Sequence, residues 1–186
     1  MALSPASRSW PIAASLAVAL VAAVAGCGSQ PVATPLVVGS PSAIAKPDLS
    51  SVLRIDQVTG RDATVNLDMG SGPSLNGFNF EGLGKGRLRI VVPIGWTVHV
   101  NCRNVGSMRH SCGVVEGAQT SQLAFPGAAT PAPAVGLPPG QSASFTFLAD
   151  RTGSFRITCL VPGHMEAGMW ASLEISAAGA PSVSSA

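Results

Sequence analysis

The stretch Thr158-Cys159-Leu160-Val161-Pro162-Gly163-His164-Met165-Glu166-Ala167-Gly168-Met169 places a thiol, an imidazole and a thioether at even spacing. Pro162, Gly163 and Gly168 let the chain between them turn tightly, so Cys159, His164 and Met169 can face one point. Two soft sulfur donors with an imidazole suit copper that cycles between Cu(I) and Cu(II). Such a site needs one more imidazole. His110, in Ser107-Met108-Arg109-His110-Ser111-Cys112, is the candidate. Two His and one thiolate would set a trigonal plane, with a weak thioether on its axis. A loop formed in advance would keep that geometry through a change of oxidation state.

Other readings stand beside this one. Cys159 taken alone would read as a small buried apolar residue. Met165 is a rival axial donor, but it adjoins His164 and reads better as a surface contact. His99 falls among the polar positions of its strand, which points to a solvated ring. Glu166 and Arg109 read as surface charges. The chain holds three His in all, so a second copper centre of the kind copper enzymes use would lack ligands. A dinuclear oxidase-type site would need two Cys in the ligand loop. No enzyme activity is therefore expected from this chain.

The elements that must position these residues show a period of two. Val52 to Val58 begins a first strand. Ala63, Val65 and Leu67 alternate with polar residues, Phe78 and Phe80 flank Asn79, and Leu88, Ile90 and Val92 continue the pattern. Trp96, Val98, Val100 and Cys102 share one face, and Phe145 with Phe147 and Phe155 with Ile157 and Cys159 follow. Met169, Ala171, Leu173 and Ile175 share a face opposite Trp170, Ser172 and Glu174. This predicts seven or eight short strands with one buried and one wet face, as in an antiparallel β-sandwich or barrel. High counts of Gly (21) and Pro (15) agree with many turns. Gly117 to Gln141 breaks the alternation with five prolines and reads as a long loop of functional interest.

In phase with the inward face, His110, Cys112 and Val114 would lie on a return strand beside the one that ends near Arg103. His110 would then point inward from the end of the sandwich. Cys102 and Cys112 would be neighbours on the inward phase. A disulfide there would brace the hairpin that presents His110, and two buried thiols is the alternative.

Charged residues make up 11% and the net charge is +2, with no basic block, so no nucleic-acid partner is expected. Residues 1–26 read as an export signal: Arg8 precedes an uncharged run from Pro11 to Gly26 that is short for a spanning helix. Val24-Ala25-Gly26-Cys27 resembles a bacterial lipobox, which implies lipid on Cys27. An uncleaved N-terminal anchor is the alternative. Residues 27–49, with Pro31, Pro35, Pro41 and Pro47, read as an extended tether. Residues 50–176 would be the domain and 177–186 a flexible tail.

From about Val52 to Ile175 the chain resembles the cupredoxins, in particular their sulfocyanin and rusticyanin branch. The resemblance rests on Phe78-Asn79-Phe80-Glu81-Gly82, Leu88 to Trp96, His110 and the Cys159, His164, Met169 spacing. It implies a Greek-key β-sandwich or barrel holding one type 1 copper ion. His110, Cys159 and His164 would be equatorial ligands and Met169 the axial one. Many members carry Asn after the first His, but rusticyanin-like ones carry Ser. Ser111 is expected to bear on the reduction potential, which would be raised if Ser111 hydrogen-bonds less to the site. The function implied is a single-electron carrier, tethered outside the cytoplasm to the bacterial cell membrane or outer membrane. Its partners would be membrane-associated respiratory redox proteins, a cytochrome or a terminal oxidase. The expected contact is an apolar patch of Met108, Pro162 and Met165 at the His164 edge. Copper storage or delivery is the alternative function.

Overall fold

The computed structural model describes residues 47–186, apart from 57, 59 and 118–120. The expected signal segment, Cys27 and most of the tether lie outside the described residues. Among the described residues no helix is long and apolar enough to cross a membrane.

Among the described residues, nine strands form two sheets. They are β1 (Leu53–Ile55), β2 (Asp62–Met69), β3 (Leu88–Pro93), β4 (Thr97–Asn104), β5 (Gly113–Glu116), β6 (Ser142–Leu148), β7 (Gly153–Thr158), β8 (Trp170–Ser176) and β9 (Ser182–Ser185). One sheet has the order β1-β2-β4-β6 and the other β5-β7-β8-β3-β9. The alternating residues drive this arrangement. In β4, Val98, Val100, Cys102 and Asn104 are buried while His99, Asn101 and Arg103 are exposed. In β8, Ala171, Leu173 and Ile175 are buried in the same rhythm. The inward faces meet in one core that runs from Leu49 to Ile175 and includes the buried Cys159 and Met169.

The all-β sandwich agrees with the sequence reading, but four details differ. First, the sheets are mixed: β2 runs parallel to β4 and β3 parallel to β8, because these pairs are joined by long crossovers and not by hairpins. Second, Phe78 and Phe80 form no strand. Phe80 makes isolated bridges to Met69 and Leu83, and the preceding Ser74–Gly77 is a short 3-10 turn.

Third, β5 begins at Gly113 and pairs with β7, not with β4. His110 therefore lies in the crossing segment, held by an isolated bridge to Leu137. The disulfide between Cys102 and Cys112 is present, but it ties β4 of one sheet to the segment entering β5 of the other. It does not brace a hairpin. Fourth, the segment read as a flexible tail contains β9, which pairs antiparallel with β3 along Leu88–Val91. Small polar residues hid it, because its outward serines give no apolar signal and Val183 alone packs on the core.

The Gly117–Gln141 segment has no named strand, yet its described part is not loose. Phe125 is buried and stacks on Phe147 at 4.8 Å. Leu123, Ala129 and Leu137 bridge to Val115, Gly113 and His110.

Candidate metal centre

The structure brings His110, Cys159 and His164 together at one end of the sandwich. One ligand atom from each lies within 4.8 Å of the others. Cys159 directly follows β7 and Met169 directly precedes β8, so the antiparallel β7–β8 pair fixes both ends of the ligand loop. The Cys159 N–H donates to the Met169 carbonyl at 3.1 Å, and the Met169 N–H donates to the His164 carbonyl at 3.0 Å. The Thr158 hydroxyl also donates to the Met169 carbonyl, at 3.0 Å. Within the loop the His164 N–H reaches Val161 O at 3.1 Å and the Ala167 N–H reaches Gly163 O at 3.1 Å. The loop is thus a closed network of its own main chain.

The Cys159 sulfur is fully buried and is the free thiol among the described cysteines. His164 Nδ1 stands 3.3 Å from it. The Ser111 N–H donates to it at 3.2 Å, and the Ser111 hydroxyl stands at 3.6 Å. The Leu160 N–H donates to Ser111 Oγ at 2.8 Å, which leaves the hydroxyl proton to turn toward the sulfur. Burial pushes the Cys159 thiol up, while the N–H groups of Ser111 and Val161 pull it down.

His110 is fully buried, and neither ring nitrogen has a hydrogen-bond partner. Its pKa is pushed down to about 4, first by burial and then by His164. A neutral buried imidazole with an unused lone pair costs stability unless something takes that pair. Nε2 backs onto Gly70 and Gly106, where a Cβ would come within 2.9 and 3.2 Å of it, so Nδ1 is the nitrogen left for a ligand. His164 is half-buried, stands edge-on to Phe78 at 4.8 Å and lies 5.1 Å from His110 between ring centres.

Two imidazoles, a buried thiol and a buried thioether, all but His110 from one loop, form a copper-type donor set. The orphaned nitrogens of His110 are the direct sign that the set fits a metal ion. The remaining sequence readings divide. His99 faces outward and meets Thr146 Oγ1 at 3.0 Å, away from the centre. Met165 is half-buried and Glu166 exposed beside His164. Arg109 is exposed and reaches the Gly136 carbonyl at 2.8 Å.

Sequence reasoning missed Asn104. It is fully buried, and its amide donates to Met108 O at 2.7 Å and Leu137 O at 2.8 Å. Its Oδ1 accepts from the Gly106 N–H at 3.0 Å. Leu137 in turn exchanges two main-chain bonds with His110, at 3.2 and 2.7 Å. An Asn on the inward phase of a strand, two residues from Cys102, was the available signal.

Comparison with known proteins agrees with this donor set. Residues 53–183 match the family model of the sulfocyanin (SoxE) domain. No curated protein matches the sequence. Among solved structures, dithionite-reduced auracyanin from Roseiflexus castenholzii is similar at 22% identity and a TM-score of 0.43, covering 61% of this chain and 96% of that one. Rusticyanin from Thiobacillus ferrooxidans is similar at 19% identity and 0.45, covering 67% and 86%. A blue copper oxidase from Nitrosomonas europaea is similar at 22% and 0.49, covering 61% and 38%. The family match covers most of the chain and contains His110, Cys159, His164 and Met169. The chain belongs to the sulfocyanin (SoxE) domain family, it is a cupredoxin, and its cofactor is a type 1 copper ion.

Proposed function

We propose that this protein is a one-electron carrier held outside the cytoplasm by lipid on Cys27, exchanging electrons between membrane-associated respiratory redox proteins. The observation that carries the carrier reading is the asymmetry of its two imidazoles. His110 is sealed in the core, and His164 reaches the surface. Copper bound by His110, Cys159, His164 and Met169 would supply a reversible Cu(I)/Cu(II) couple. The chain's own residues hold the donors still and keep water from all but the His164 edge.

The surroundings of that edge suit brief contacts. Met108 is 36% and Val135 59% exposed. Pro162 is exposed and Met165 half-buried. Gly136, beside Val135, packs against Val161 of the ligand loop. Small apolar contacts of this kind fit transient redox encounters. The closed donor set favours a carrier over storage or delivery, which call for donors that exchange readily. The three His of the chain favour a carrier over an enzyme, although some similar structures are copper enzymes.

The test is optical and electrochemical. The copper-loaded protein should show an intense blue thiolate-to-copper absorption and a reversible one-electron potential. A colourless protein that binds copper in equal amount and gives it up readily to a chelator would replace the carrier with the delivery reading. Membrane fractionation with and without Cys27→Ala checks the tether, which fails if both forms sediment alike.

A further inference from the structure

The outer faces of the two sheets carry different charge. On the β1-β2-β4-β6 sheet, Arg54 and Arg103 stand among Asp62, Asp68 and Glu81. Arg103 is held by Asp68 through two hydrogen bonds of 2.8 and 2.7 Å, so this face is close to neutral. The other sheet is not. Alternation in β3 buries Leu88 and Ile90 and turns Arg89 outward, and Arg87, just before the strand, is exposed as well. The strand register sets Arg89 and Arg156 on either side of Ser172. Lys85 packs at the same edge, against Gly168. Glu174, paired with Arg89, is the carboxylate that β8 turns outward. Lys85, Arg87 and Arg89 are thus exposed and Arg156 is half-buried on this face, where Glu174 is the outward carboxylate of β8.

Trp170 sits among them. The Arg156 guanidinium lies 3.6 Å over its ring. Arg89, Arg156, Trp170, Ser172 and Ser154 line an open depression of about 370 Å³. Trp and Arg are the residues most often found at the energetic centre of protein contacts. A patch of one sign steers partners of the other sign toward it.

This face is also joined to the metal centre through the main chain. Trp170 follows Met169 directly, and the Met169 carbonyl accepts the Cys159 N–H at 3.1 Å. Thr158, which precedes Cys159, stands opposite Trp170 in the β7–β8 register. One residue and one hydrogen bond thus separate the indole from the residue that carries the ligand sulfur.

We infer that the outer face of β7, β8 and β3, centred on Trp170 and Arg156, docks an acidic one-electron redox protein, as a second port distinct from the His164 edge. The inference rests on the carrier reading above. The charge specifies an acidic partner, and the short link to Cys159 specifies a redox protein over an anionic membrane. One electron would cross in each encounter, lost by the reduced partner and gained by the copper.

The test uses the copper-loaded protein with a c-type cytochrome of strongly negative net charge, a strongly positive one, and phosphatidylglycerol vesicles. In the Cu(I) form, the acidic cytochrome should shift amide resonances around Trp170, Arg156 and Arg89. The rate of electron exchange with it should fall about tenfold or more between low and high salt, as screening removes the steering. Arg87→Glu should lower the low-salt rate several-fold while leaving the blue absorption and the potential unchanged, and Arg156→Gln should do the same if it folds. Amide shifts confined to Met108, His164 and Met165, a rate indifferent to salt, or a faster reaction with the positive cytochrome would overturn the inference. Vesicles that shift the same residues when the cytochrome does not would assign the face to the membrane instead. A chain without the blue absorption fails the carrier reading and this inference together. A blue protein that fails the docking arms fails the inference alone.

Discussion

The two imidazoles reach the centre by opposite routes. His164 belongs to a loop that closes on itself between β7 and β8, and its ring meets solvent and Phe78. His110 belongs to a segment that crosses between the sheets, and everything that holds it comes from elsewhere: Leu137, Asn104, Gly70, Gly106 and the Cys102–Cys112 bridge. The first ligand is local and exposed, the second remote and sealed. A centre built this way has a rigid back wall and a front that a partner can touch.

The largest test of that contrast removes each ring in turn. Cys159→Ser should abolish the blue absorption and sets the baseline. His164→Gly should also lose it, and added imidazole should restore it, because the emptied space opens to solvent. His110→Gly should lose it without rescue, since its space is enclosed by the core. Equal rescue at both positions, read from the visible spectrum, would erase the distinction between front and back.

Glycines sharpen it further. Gly70 has φ +75°, and a Cβ there would meet Gly106 Cα at 2.8 Å and His110 Nε2 at 2.9 Å. Gly70→Ala combines left-handed strain with overpacking and should cost about 2–5 kcal/mol. Gly163, in the ligand loop, has φ +86° with nothing within 4 Å. Gly163→Ala carries the strain alone, about 1–2 kcal/mol. Denaturant titration of both variants checks the order. Asn104→Ala should fall between them or match the first, at about 2–4 kcal/mol, because it strands the buried carbonyls of Met108 and Leu137 and the Gly106 N–H.

What could be read from the sequence follows the same division. The loop ligands were legible because one β-strand ends just before Cys159, another begins just after Met169, and spacing along one short stretch survives any fold. His110 was legible as a residue type but not as a position. The reading put it on a strand beside β4, whereas β5 joins the opposite sheet and His110 precedes it. Phase tells which face a residue takes and not which sheet its strand enters. For the same reason Cys102 and Cys112 could be paired by phase while the bridge's span between sheets could not. Gly70 and Gly106 meet across segments distant in sequence, so no local pattern marks them, while Asn104 shows only as a polar residue on an inward phase. β9 escaped because a strand of Ser182, Val183, Ser184 and Ser185 has almost no apolar period to show.

Acid should separate the two rings in the copper-free protein. The unfolded chain protonates His110 near its ordinary value of about 6.5, while the folded form does so only near a pH of about 4. Between those values the unfolded state binds more protons, so stability falls as pH falls, by at most about 1.4 kcal/mol per pH unit. Below a pH of about 4 the loss levels off. Burial lowers His164 as well, but its exposed edge makes its share smaller. His110→Gln should flatten the copper-free profile more than His164→Gln does, as followed by thermal melts across this range.

The smallest effect belongs to the one residue that touches both regions. Ser111 adjoins His110, gives its N–H to the Cys159 sulfur and takes the Leu160 N–H on its hydroxyl. Donors to the sulfur withdraw charge from it, which favours the reduced ion and raises the potential, the reverse of the sign expected from the sequence. Ser111→Ala keeps the 3.2 Å main-chain donor and removes the hydroxyl at 3.6 Å, so the potential should drop slightly while the blue absorption persists. It also leaves the Leu160 N–H without its acceptor, which should loosen the entry to the ligand loop at a cost of about 1–2 kcal/mol. Voltammetry beside a denaturation curve separates the two consequences. An unchanged potential would mean that the hydroxyl serves the loop alone and that the main-chain donor by itself sets the charge on the sulfur.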